Sequence, residues 1–171
     1  MTVTINGNGT ITPTSAVQPT GSILQVVSRF QNTGKSTTAT SFTNISDVYG
    51  TIQPTSTSSK VLVLINGTIS ISGDWAVGFR LNKTVDGSTT QVGGASNTQT
   101  SSGIQNIYAH GDANMLPMNY HFLDSPSTTS AITYQLTWRV NGGTTYWNSY
   151  SGSVGSDYES ASSVILMEVA G

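Results

Sequence analysis

Two histidines, His110 and His121, bound the acid–base chemistry open to this chain. Asp112 and Asp124 lie near them in sequence and serines are abundant, so the residue types of a Ser-His-Asp triad are present. The local signature is not. A serine nucleophile on a sharp strand-to-helix turn needs Gly-x-Ser-x-Gly. In Ser151-Gly152-Ser153-Val154-Gly155 a serine, Ser151, stands where the first glycine belongs. The histidines therefore read as ordinary surface or strand-edge residues. His110-Gly111-Asp112 with His121 also supplies ligand types for a divalent metal, and a histidine on the axis of a trimer would meet its own copies there. The eight carboxylates are scattered and form no Asp-x-Asp-x-Asp-Gly calcium loop. Nothing points to the carboxylate pair of a glycosidase. The expectation is a non-enzymatic chain with no catalytic residue, cofactor or metal site assigned.

Asn32-Thr33-Gly34-Lys35-Ser36-Thr37 looks like the end of a phosphate-binding loop, but the glycine required five positions before Gly34 is Arg29. No helix follows to offer its N-terminus to a phosphate, so the segment reads as a polar hairpin loop. The aromatic residues say more. Trp138 sits in an apolar alternating run and reads as core. Tyr146, Trp147, Tyr150 and Tyr158 crowd a Ser/Gly-rich stretch. Tyrosine and tryptophan in such a loop supply contact area at low entropic cost, as in recognition loops for sugars or proteins. The same rings would equally serve to cover the end of a β-sandwich or a subunit interface. Trp75 is a further candidate contact residue.

The elements that must position these residues are strands. No window repeats near 3.6 residues, whereas period-2 alternation is common. Residues 60–71 are the clearest case: Val61-Leu62-Val63-Leu64-Ile65 is apolar on both faces, as in a central strand, and Ile69 and Ile71 then alternate with polar residues. Further strands are expected at 22–30, 48–52, 75–81, 89–92, 104–109, 115–122, 131–140, 144–147 and 163–169. Asp86-Gly87 marks a hairpin, and Asn141-Gly142-Gly143 offers the positive φ of a second tight turn. Some eight to ten short strands separated by turn signals are the pattern of an all-β sandwich or jelly roll.

Residues 1–20 differ from the rest. Val3, Ile5 and Ile11 alternate with Thr and Asn, and Pro13 and Pro19 follow. This reads as an extended N-terminal arm without a sheet of its own, able to pair with the edge of another chain, or else as a loose tail. The domain proper is expected at 21–171.

Composition excludes several functions. Only 8% of residues are charged and the net charge is −2, so no basic stripe is available for nucleic acid. No segment is long and apolar enough to insert in a membrane as a helix. The first residues lack the basic start and apolar stretch of a signal peptide. The Asn-x-Ser/Thr matches at Asn8, Asn44, Asn66 and Asn82 then carry no weight as glycosylation sites. There is no cysteine.

Four stretches in order carry a family likeness: Gly21-Ser22-Ile23-Leu24-Gln25-Val26-Val27; Thr51-Ile52-Gln53-Pro54 leading to Ser58-Ser59-Lys60-Val61-Leu62-Val63; Phe122 through Tyr134; and Ala161 through Val169. Together they resemble small virion structural proteins of tailed, marine-type bacteriophages, among them tail-fibre domains and head-decoration proteins. The resemblance implies a jelly roll similar to the C1q and tumour-necrosis-factor heads and assembly as a homotrimer. It also implies an N-terminal segment docking on other virion proteins, and a place on the virion surface, on capsid or tail. Contact with a host surface glycan is a further implication. It transfers no catalytic residue. A short arm in place of a long shaft favours a decoration protein or small tail adaptor over a complete fibre.

Overall fold

A computed structural model describes residues 3–5, 11–13, 18–94, 103–108, 114–150 and 159–171. The described residues form thirteen strands and no helix. The first two, β1 (Val3–Ile5) and β2 (Ile11–Pro13), pair antiparallel in a small sheet of their own, Ile5 opposite Ile11. The arm expected to lack a sheet is thus a hairpin. Pairing the two segments with each other satisfies backbone groups that an extended arm would leave open.

The remaining strands are β3 (Ile23–Gln31), β4 (Lys35–Thr37), β5 (Thr43–Ile52), β6 (Lys60–Ile71), β7 (Ala76–Val85), β8 (Ser88–Val92), β9 (Gln105–Tyr108), β10 (Leu116–Asp124), β11 (Ile132–Val140), β12 (Thr145–Trp147) and β13 (Ser162–Val169). They make a sandwich of two antiparallel sheets. One runs β3-β13-β6, with β10 on the far side of β6 and β12-β4 continuing past the end of β13. The other runs β5-β11-β7-β8, with β9 alongside β7. Taken as eight main strands, this nested order of first with last and second with seventh is that of a jelly roll.

Alternation builds the core. Val61, Val63 and Ile65 of β6, Val164 and Leu166 of β13, Val77, Phe79 and Leu81 of β7, and Ile132, Tyr134, Leu136 and Trp138 of β11 all point inward and are buried. The turn Asp86-Gly87 has φ of 47° and 80°, the left-handed pair that a two-residue hairpin requires, and joins β7 to β8 as expected.

Three expectations are corrected. Strand β5 begins at Thr43, not at 48: Asp47 takes φ 68° and the ladder to β11 shifts between Gln135 and Thr137. The Gln135 side chain bridges this bulge by donating to the carbonyls of Ile45 and Val48 at 2.9 and 3.1 Å. Lys35–Thr37, read as loop, is a strand against β12. Asn141-Gly142-Gly143 is not a hairpin turn: β11 and β12 belong to different sheets, and the positive φ (65°, at Gly143) turns the chain from one sheet to the other.

The sandwich has two poles. At one lie Gly21, the segment 53–59, the Asp86-Gly87 turn and Ala170, where Gly21 N–H donates to the Ala170 carbonyl at 2.8 Å. At the other lie the segments 72–75 and 141–144, with Ala39 receiving the Val140 N–H at 2.9 Å.

Candidate interaction surfaces

The residues singled out for chemistry do not converge. His121 and Asp124 lie three apart on β10; His121 is exposed on the outer face, whereas Asp124 is buried on the inner one. They cannot share a proton relay. His110, Asp112 and Tyr158 lie outside the described residues. Among the described residues no group of three or more His, Asp or Glu could hold a metal.

The proposed aromatic recognition loop loses one member. Trp147 is fully buried, meets Phe79 edge-on with centroids 6.1 Å apart, and donates its Nε1–H to Ser162 Oγ at 3.0 Å. Its ring lies so close over Gly67 that no Cβ would fit there. Trp147 therefore plugs the core where β12 pairs with β6, and cannot meet a ligand. Tyr146 and Tyr150 remain half-buried. Of the docking arm, Val3, Ile5 and Ile11 are placed by their backbone in the β1–β2 hairpin.

What the geometry does assemble is an apolar outer face. Strands β3, β13, β6 and β10 lie side by side, so cross-strand partners form rungs. Val26, Met167, Leu62 and Leu123 make one; Ser28, Ile165, Leu64 and His121 the next; Phe30, Ser163, Asn66 and Asn119 a third. Val26, Phe30, Leu123 and Ile23 are about half exposed or more, Phe30 at 67%. Scattered surface apolar residues are ordinary, but a contiguous field of them over four strands is informative. With four strands about 4.8 Å apart and about five residues of height between its polar edges, its footprint is roughly 300 Å². Residues Asn66, Asn119, Ser163 and Lys60 edge it with polar groups. The sequence carried the signal in Val61-Leu62-Val63-Leu64-Ile65, apolar on both faces. Expected as a central strand, β6 does lie between β13 and β10, with one face on the core and the other outward.

The same sheet places two carboxylates inside. Asp124 Oδ2 accepts from Lys83 Nζ at 2.9 Å and Tyr134 Oη at 2.7 Å, tying β10 to the opposite sheet. Burial, together with the hydrogen bond and charge of Asp124, pushes the Tyr134 hydroxyl pKa far up. Glu168 is fully buried and accepts from Gln25 Nε2 at 2.6 Å, Thr55 N at 2.6 Å and Thr55 Oγ1 at 2.7 Å. Burial pushes its pKa up, but these hydrogen bonds, led by that of Gln25, more than reverse this and hold it at about 2. Both carboxylates are structural latches.

The outer face of the other sheet is polar. Thr51, Thr133, Thr84 and Thr89 form one rung, with hydroxyl contacts of 2.9 Å (Thr51–Thr133) and 2.8 Å (Thr84–Thr89). Arg80 stacks on Phe42 at 3.8 Å. At the free edges, Asp47 pairs with Arg29 at 2.9 Å and Lys35 at 3.4 Å, charges that discourage strand addition there.

No family model matches the sequence, and no curated protein matches it. Among solved structures, the chain is similar to one titled structure of infectious bursal disease virus Gt strain, at 13% identity and TM-score 0.43, over 94% of this chain and 43% of that one. For the Gx strain of the same virus the figures are 9%, 0.42, 94% and 42%. For the VP2 subviral particle of infectious bursal disease virus they are 11%, 0.39, 93% and 42%. The chain thus spans less than half the length of these proteins. Similarity at this level leaves the architecture resting on its own strand order.

Proposed function

We propose that this chain is a non-enzymatic structural protein of a bacteriophage particle, assembled as a homotrimer on the capsid surface or in the tail. The observation that carries the proposal is the apolar outer face of the β3-β13-β6-β10 sheet. A face of this kind, left in water, is an association site. Its occupant is a second copy of this chain. There is no charge at its centre to select an oppositely charged partner, and the polar rim around an apolar middle is the anatomy of a subunit interface. The field supplies the core of a standard interface, which takes about 800 Å² from each partner, with the rim contributing the rest. Closed rings of like subunits are the common way to satisfy such a surface.

The sequence resemblance to phage virion proteins supplies the setting, and the β1–β2 hairpin supplies a segment to dock on neighbouring virion proteins. Two measurements test this. Light scattering should give three times the chain mass at micromolar concentration; a stable monomer would overturn the trimer. Antibody-gold labelling of particles from the encoding phage should decorate head or tail. Unlabelled particles, with an antibody known to bind the native protein, would overturn the virion role.

A further inference from the structure

Trp75 is 41% exposed, while the other two tryptophans, Trp138 and Trp147, are 2% and 0% exposed. It is held by backbone on its inner side. Its ring lies against Gly142 and Gly143, and a Cβ at Gly142 would fall into the ring. Gly143, at φ 65°, approaches its Nε1 and Cδ1 edge. The shelf is rigid. Ser72 N–H donates to the Thr144 carbonyl and Thr144 N–H to Ser72 Oγ, both at 2.9 Å, and Trp75 N–H donates to the Gly73 carbonyl at 3.1 Å. The Asn141 side chain accepts from Ala76 N–H at 2.7 Å, which fixes the amide and leaves its Nδ2 group to donate elsewhere. Tyr108, 59% exposed, stands on the neighbouring strand opposite Ala76.

A flat aromatic ring, 41% exposed and braced by glycines, near a fixed side-chain amide, fits one ligand chemistry well. The C–H face of a pyranose carries partial positive charge and stacks on the electron-rich face of the indole, and the amide orients a hydroxyl. Nothing in the core requires the ring: Trp75 is not part of the core cluster. We infer that Trp75, with Asn141 on the adjoining segment, is a sugar-stacking site for pyranose glycans. It lies at the pole opposite the hydrogen-bonded Gly21–Ala170 end from which the arm departs. If the arm is the anchor, a placement that rests on the proposed virion role, this pole faces away from the particle and toward the host's surface polysaccharide.

The test uses the full chain on an array of bacterial surface oligosaccharides, followed by titration with the best binder while tryptophan emission is read. Since Trp75 is the solvent-exposed tryptophan, its emission should change on binding. Trp75→Ala should lower affinity at least tenfold and Trp75→Phe by less, with the assembly mass unchanged in both. An array with no binding, or Trp75→Ala binding within twofold of the parent, would overturn the inference. A gold-labelled trimer that binds no sugar would sink this site and leave the structural role standing.

Discussion

The two outer faces of the sandwich follow the same alternation and end in opposite chemistry. On the β5-β11-β7-β8 sheet, core residues face inward and Thr, Gln and Asn face water. On the β3-β13-β6-β10 sheet, apolar residues face both ways, and at the Gly21 pole the polarity inverts: Leu123 and Met167 point out while their neighbours Asp124 and Glu168 point in. A sheet that hides carboxylates and shows leucine and methionine fits the association through its outer face proposed above. The difference teaches that one sheet carries its polar groups outward and the other carries the face through which assembly is proposed.

The largest effect should come from placing a charge on each face in turn. Ile165→Asp or Leu64→Asp would bury an unpaired carboxylate in the proposed subunit contact, and light scattering should show at least a 100-fold loss of association, a burial cost of several kcal/mol. Thr133→Asp on the opposite face should leave the mass unchanged. Equal dissociation by both would erase the distinction between the faces.

Next comes the inward latch. Lys83→Met leaves the buried Asp124 carboxylate without its cation and should cost about 3 kcal/mol in urea unfolding. Lys83→Met combined with Asp124→Leu should recover part of that, because the uncompensated charge is gone while the Tyr134 hydroxyl loses its acceptor. No recovery would show that Asp124 matters through Tyr134 alone.

Glu168 gives a pH signature. Its folded pKa of about 2 lies below the ordinary 4.5, so its stabilisation is complete above 4.5 and is lost as pH falls from there toward 2. Glu168→Gln should lower the neutral-pH stability by about 2 kcal/mol and flatten this acid limb in thermal melts. An unchanged limb would place the acid sensitivity elsewhere.

The smallest effect belongs to the polar face. Thr84→Val with Thr89→Val removes one exposed hydroxyl contact and should shift unfolding by less than about 1 kcal/mol, with no change in mass.

Much of the fold was legible, because period-2 alternation and the Asp86-Gly87 turn are local signals. What escaped was non-local. The β10 strand was expected to end at Phe122, and it runs on to Asp124. Only the lysine and tyrosine arriving from β7 and β11 let a carboxylate stay inside. Trp147 looked like a loop aromatic because its neighbours are Ser, Asn and Gly; its burial depends on Gly67, eighty residues earlier, making room. The apolar outer face was visible as composition in 60–65, but sequence does not say which side of a strand is covered by the chain's own second sheet. Trp75 drew notice as an aromatic. Its glycine shelf, sixty-odd residues downstream, did not.

The antiparallel pairing of β3 with β13 has a mechanical consequence. The arm leaves from Gly21 at one pole, and Trp75 stands at the other. A pull between them runs along the strand axes, so the ladder from Ile23–Val169 to Gln31–Ser162 is loaded in shear, its rungs sharing the force instead of opening one by one. Force applied between Gly21 and Trp75 would therefore meet the whole ladder at once.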